Sequence, residues 1–175
     1  MEKLKLYTVD IDYIEYLKQF DRQVMFAKGD EYVTSRKYLG VVLKINGFQY
    51  FAPLSSPKES DYFYKNGKRF IRKNVIPIVR LIDSKGTLLG KVKLSNMIPV
   101  PEECLQLYDV YNESDEKYRE LVRDEIISIR KCRDRILKNA EILYKQRIRN
   151  YDGIAYLNST VDFAKVEKHC KAYKK

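Results

Sequence analysis

Through the first hundred residues, apolar positions alternate with polar ones in short runs separated by turn-forming residues, the period of half-buried strands. "KLYTVD" at 5–10 predicts a strand. "YLGVVLKI" at 38–45 and "FQYFAPL" at 48–54 predict a hairpin closed by Asn46-Gly47, a dipeptide that favours the type I′ turn. "VIPIVRLID" at 75–83 and "TLLGKVKL" at 87–94 predict a second hairpin across Ser84-Lys85-Gly86, with Pro77 holding its first strand to an edge or a bulge. Asp12 followed by Glu15 resembles a capping box, and Ile14, Leu17 and Phe20 give a short amphipathic helix to about Phe20. Residues 21–36 lack a clear period, and "SPKESDYFYKNGKRF" at 56–70 reads as a polar loop rich in Tyr and Lys.

After Pro99 and Pro101 the period changes. Ser114 predicts a helix cap, with Asp115 and Glu116 in the first turn matching the helix dipole. Tyr118, Val122, Ile126, Ile129, Cys132, Ile136, Ala140 and Leu143 then recur at helical steps, predicting one long helix or a closely broken pair to about Arg149. A last helix spans about Val161 to Tyr173, capped by Ser159 or Thr160. The fold class is therefore α+β: a strongly bent antiparallel sheet of about five or six strands packed by helices. The 175 residues suit a single domain, β-rich over about 1–100 and helical over about 112–175.

Charge narrows the partner. Thirty-four Lys and Arg against 24 Asp and Glu leave +10, which favours a polyanion, most simply nucleic acid. Fifteen Tyr and 7 Phe lie among these cations, a mixture suited to stacking unpaired bases while cations hold the backbone. From Lys117 to Arg149 the excess of basic over acidic residues is six, which makes the long helix, with Arg130 and Lys131, a candidate RNA-facing stripe. No apolar run approaches the ~18 residues of a membrane span. The polar start "MEKLKLYTVD" does not read as a secretory signal, so a cytoplasmic protein is expected. Cys104, Cys132 and Cys170 lie far apart and read as reduced packing thiols.

The chemistry is limited by what the chain lacks. His169 is its only histidine, which excludes a two-histidine ribonuclease mechanism, and its place in a basic C-terminal helix disfavours a Ser-His-Asp triad. The carboxylates show no metal-binding spacing, and there is no phosphate-binding GKS/T loop, so neither metal nor cofactor is expected. RNA permits such an enzyme, because its own 2′-OH can attack the neighbouring phosphorus while the protein aligns the oxygen and stabilises the phosphorane. "SSPK" at 55–58 offers two hydroxyls and a cation at a strand end, stiffened by Pro57. The same four residues also read as an ordinary surface turn.

"YLGVVLKINGFQYFAPLSSPK" resembles the hallmark segment of the ToxN/AbiQ family, endoribonuclease toxins of type III toxin–antitoxin systems. The matching positions are Gly40, Val41, Val42, Leu43, Ile45, Gly47, Tyr50, Ala52 and the run from Pro53 to Lys58. "KLYTVDIDYIEYLKQFD" and "LSNMIPVP" are similar to further family segments. The resemblance implies a compact barrel related to the Kid/MazF toxin fold, elaborated with helices. It also implies metal-independent cleavage of RNA, cellular mRNA included, leaving a 2′,3′-cyclic phosphate and a 5′-OH. The implied partner is a pseudoknotted antitoxin RNA, cut from a repeated precursor and held as inhibitor in a closed protein–RNA assembly.

Carried over by position, the resemblance places the catalytic serine on Ser56, its hydroxyl neighbour on Ser55, the lysine on Lys58 and an upstream tyrosine on Tyr32. The second basic residue falls on Arg36, beside Lys37, and the sequence leaves open which of the two faces the phosphate. Lys58 is the better proton donor for the leaving 5′-oxygen, since arginine stays charged. No residue stands out as general base. For RNA binding, Lys65, Lys68, Arg69, Arg72 and Lys73 in "KNGKRFIRK" join Lys37 and the helix cations. A non-catalytic RNA-binding protein using the same surface is the alternative.

Overall fold

The computed structural model describes residues 3–26 and 35–175. Nine strands and three α-helices follow in the order β1 (Lys5–Val9), α1 (Ile11–Lys18), β2 (Tyr38–Ile45), β3 (Phe48–Ser55), β4 (Tyr62–Lys65), β5 (Lys68–Ile71), β6 (Ile78–Ile82), β7 (Leu88–Lys93), β8 (Ile98–Pro99), β9 (Leu105–Leu107), α2 (Glu116–Arg149) and α3 (Phe163–Ala172). The main sheet is antiparallel with the order β6-β7-β3-β2-β1-β9, and β8 adds to β3. The expected α+β class and antiparallel sheet are thus present, but the sheet stays open. Its edge strands β6 and β9 do not pair among the described residues, so no barrel closes.

Strand β3 organises the sheet. One edge pairs with β2 from Ile45↔Phe48 to Tyr38↔Pro53, through the Asn46-Gly47 turn whose residues take φ of 53° and 81°. Its other edge changes partner along its length. It meets β8 at Tyr50↔Pro99 and Phe51↔Ile98, then β7 at Leu54↔Val92 and Ser55↔Lys91. A short strand can serve two neighbours this way only if the sheet bends between them, so the end carrying Ser55 is clamped by β2 and β7.

Helix α2 is a single unbroken element of 34 residues that packs on β2, β6 and β7. Its inward face carries Val122, Ile129, Ile136, Ala140 and Leu143, the apolar stripe that the spacing predicts. Its cap is Asp115, which accepts from the N–H of Tyr118, and not Ser114. Likewise α3 is capped by Asp162, accepting from the N–H of Lys165, in place of Ser159 or Thr160. Helix α1 starts after Asp10, with no side-chain cap. Glu167 of α3 ties the layers together, since its Oε1 accepts from the hydroxyls of Tyr50 at 2.7 Å and Tyr144 at 2.8 Å.

Residues 62–71 form a second, two-stranded sheet, where a loop was expected. Asn66-Gly67 closes it with the same positive-φ pair seen at Asn46-Gly47. The strands escape a periodicity test because most of their side chains are exposed, so no buried face imposes alternation. His169 is half-buried and stacks on Phe20 at 3.5 Å between ring centroids. Cys104, Cys132 and Cys170 are free thiols. No helix among the described residues is long and apolar enough to cross a membrane.

Candidate active site

Ser55 is the last residue of β3, only 5% exposed, and its Oγ has no hydrogen-bond partner among the described residues. Ser56 and Lys58 follow on the exposed turn. The turn is fastened from below. The N–H of Lys58 donates to Asp61 Oδ2 at 2.8 Å, and the N–H of Asp61 donates back to the Lys58 carbonyl at 2.9 Å. Asp61 itself is 1% exposed and holds two cations, Lys91 Nζ at 2.7 Å and the Arg80 guanidinium at 3.0 Å. Burial alone would raise its pKa, yet Lys91, the Lys58 N–H and Arg80 overcome that and hold the carboxyl below its ordinary value. A buried carboxylate shared by two cations and a main-chain N–H is a rigid post. Lys58, standing on it, has no ion pair of its own among the described residues.

Arg36 reaches the same strand end. It is buried, with Nε donating to the Phe26 carbonyl and an Nη to the Leu54 carbonyl, both at 3.0 Å. Tyr38 is fully buried beside it, and its hydroxyl, like the Ser55 Oγ, lacks a partner among the described residues. Burial raises the Tyr38 phenol pKa well above the ordinary range, while Arg36 pulls the other way. Lys37 turns elsewhere. Its Nζ donates to the Ser35 carbonyl at 2.8 Å and sits 4.6 Å from the Tyr108 ring centroid, and burial lowers its pKa. Lys37 is thus largely buried with its ammonium packed against aromatic rings, while Arg36 reaches the strand end. Tyr32 lies outside the described residues.

Of the other expected RNA contacts, Lys65, Lys68 and Arg69 are exposed on the β4–β5 hairpin, with Arg72 and Lys73 just beyond it. Rings alternate with them: Arg69 lies 4.2 Å from the Tyr62 ring centroid, and Phe63 stacks on Phe70 at 5.5 Å. Arg130 and Lys131 are exposed on α2. The arrangement offers hydroxyls and a free ammonium at a fixed strand end, with an aromatic, cationic hairpin rising from the same turn.

A model described as toxin ToxN, type III toxin-antitoxin system, matches residues 5–171 of this chain. The chain belongs to the ToxN toxin family. Endoribonuclease ToxN of Bacillus thuringiensis subsp. kurstaki is 32% identical over 176 residues, covering 97% of this chain and 84% of that relative. A solved structure from work on selective toxin inhibition by a non-coding RNA pseudoknot aligns with a TM-score of 0.81 at 30% identity, covering 99% of each chain. The structure of AbiQ, a lactococcal anti-phage endoribonuclease, aligns at the same TM-score with 26% identity over 98% of each chain.

In this ToxN family member the supporting residues Asp61, Arg80 and Lys91 escape a reading of the sequence. The available signal was a cation inside each apolar strand, Arg80 in "VIPIVRLID" and Lys91 in "TLLGKVKL". Such a residue must meet a carboxylate if its strand is buried on both faces. Glu125 escapes as well. This residue of α2 is 8% exposed and faces Gly90, where an added Cβ would lie 2.6 Å from its Oε1 and 3.0 Å from the Ser55 carbonyl. Desolvation raises its pKa to about 7.

Proposed function

We propose that this protein is an endoribonuclease toxin that cleaves RNA without a metal, by attack of a 2′-OH on the adjacent phosphorus. The observation that carries the reading is the buried Ser55 Oγ, unpartnered among the described residues, beside exposed Ser56 and Lys58 on a turn that Asp61 holds rigid. The naming of relatives as endoribonucleases supports it. Ser55 and Ser56 position the phosphate oxygens, Arg36 adds positive charge behind them, and Lys58 protonates the leaving 5′-oxygen. The new bond joins the 2′-oxygen to phosphorus and the bond to the 5′-oxygen breaks, leaving a 2′,3′-cyclic phosphate and a 5′-OH.

The same reading takes cellular mRNA as substrate and a pseudoknotted antitoxin RNA as inhibitor, cut from a repeated precursor and held in a closed protein–RNA assembly. Growth arrest and abortive phage infection are the outcome in the cytoplasm. Inhibition of a structural neighbour by an RNA pseudoknot, and the anti-phage role of AbiQ, support this part. The bent sheet, in which β3 changes partner, is read as an opened relative of the Kid/MazF toxin fold. The test is cleavage of RNA in excess chelator, with the ends identified. Full activity with cyclic phosphate termini is expected, and activity that disappears until a divalent ion is restored would reject the mechanism.

A further inference from the structure

Next to the foot of the β4–β5 hairpin lies an open cleft of about 780 Å³, away from the catalytic turn in sequence and lined by Lys73, Val75, Ile76, Arg135, Asn139 and Tyr156. No carboxylate among the described residues lines it. Lys73 and Arg135 are exposed and have no ion pair among the described residues. The nearest acids of α2 are engaged elsewhere, Asp134 with Arg133 at 3.2 Å and Glu141 with Lys145 at 2.7 Å. The two cations therefore keep their full attraction for an anion.

The polar and flat groups are more specific. Asn139 is 8% exposed, yet its amide makes no hydrogen bond among the described residues. The amide opens onto the cleft, where a ligand can pair with it. Its donor and acceptor lie side by side, the pairing that matches the edge of a nucleobase. The Tyr156 ring is held in place by its hydroxyl, which donates to Gln146 Oε1 at 2.6 Å. Half-exposed Val75 and half-buried Ile76 add apolar surface. A ring, an apolar wall, a free amide and two cations are together the requirements of one unpaired nucleotide.

The cleft and the catalytic turn also share a scaffold. Arg80 holds Asp61 through Nε at 3.0 Å and the Lys73 carbonyl through Nη1 at 2.9 Å, and Asp61 holds the Lys58 N–H. We propose that the cleft takes one unpaired nucleotide of an RNA strand that also crosses the catalytic turn, its base between Tyr156 and Asn139 and its phosphate on Lys73 and Arg135. This rests on the RNA reading above. The nucleotide belongs either to a single-stranded substrate or to a bulge in a folded RNA.

The experiment is ultraviolet crosslinking of the intact protein to short 2′-O-methyl RNAs, which lack the attacking hydroxyl, followed by peptide mapping and affinity measurement. Three probes are used: a single-stranded pool, a hairpin with one bulged nucleotide, and the same hairpin fully paired. Crosslinks at Tyr156 are expected with one or both of the first two, identifying the source, and not with the third. Tyr156→Leu is expected to weaken binding about tenfold and Tyr156→Phe to restore it, with unfolding temperatures compared as a control. Arg135→Ala is expected to lower the salt slope of log K by about 0.7. Crosslinks confined to residues 55–72, with affinity unchanged in Tyr156→Leu, would overturn the cleft assignment and leave the RNA reading standing. Absence of binding to every probe would overturn both.

Discussion

The main-chain N–H of Lys58 donates to Asp61 Oδ2 at 2.8 Å, and that oxygen also receives Lys91 Nζ at 2.7 Å. The exposed lysine of the Ser55–Lys58 turn is thus placed by a buried ion cluster. Asp61→Asn leaves Arg80 and Lys91 charged and unpaired in the interior, a change expected to cost about 3–5 kcal/mol in urea unfolding. The sign with pH follows from the depressed carboxyl pKa. The stabilisation is present above the ordinary value of 3.8 and lost as pH falls through the lower folded value. Asp61→Asn should therefore flatten the acid limb of the stability curve. An unchanged acid limb would remove Asp61 as its origin.

The two serines should separate stability from activity. Ser55 Oγ is buried and unpartnered among the described residues, so Ser55→Ala removes an unsatisfied group and is expected to leave stability equal or raise it by about 1 kcal/mol, while slowing cleavage. Ser56 is exposed, and Ser56→Ala should abolish cleavage and toxicity with the unfolding temperature unmoved. Lys58→Ala should slow single-turnover cleavage by about 10² to 10⁴-fold, as loss of a general acid does. Near-native turnover in Ser56→Ala would take that residue out of the mechanism.

Glu125 supplies a pH-dependent strain on the fold. Its pKa rises from 4.5 to about 7 through desolvation, so the folded protein binds this proton more tightly than the unfolded chain. Stability is fully present below pH 4.5 and falls as pH rises through about 7. Glu125→Gln should abolish that slope and stabilise the protein above pH 7 by up to about 3 kcal/mol. Urea midpoints measured across this range check it, and parallel curves for the two proteins would show that Glu125 is already ionised in the folded state.

The hairpin cations should matter to RNA and little to folding. Lys65 and Lys68 pair across the exposed end of β4–β5 and have no ion pair among the described residues. Lys65→Glu with Lys68→Glu should weaken binding of antitoxin RNA and lower the salt slope of log K by about 1.4, at roughly 0.7 per contact. In cells this variant is expected to escape inhibition and be more toxic. Unchanged affinity and salt slope would make the hairpin tip a solvated turn.

What the sequence determined by itself is what neighbouring residues decide among themselves. Asn46-Gly47 sets its hairpin because both residues accept positive φ, and the apolar recurrence along 118–143 sets α2 because a helix repeats its face every turn. The run from Pro53 to Lys58 stood out only through its resemblance to a family segment, since its residues alone read equally as a surface turn. The β4–β5 hairpin was not legible, although Asn66-Gly67 marks it, since strands exposed on most positions carry no alternation to read. Only the tertiary structure decided that the sheet stays open, that Lys37 packs against Tyr108 while Arg36 reaches the Leu54 carbonyl, and that Asp61 meets Arg80 and Lys91. Those last pairs are separated by 19 and 30 residues. A buried charge must find a partner, but the chain alone does not name it: the bend of β3 between β8 and β7 brings these three side chains together, and with them the lysine that stands above.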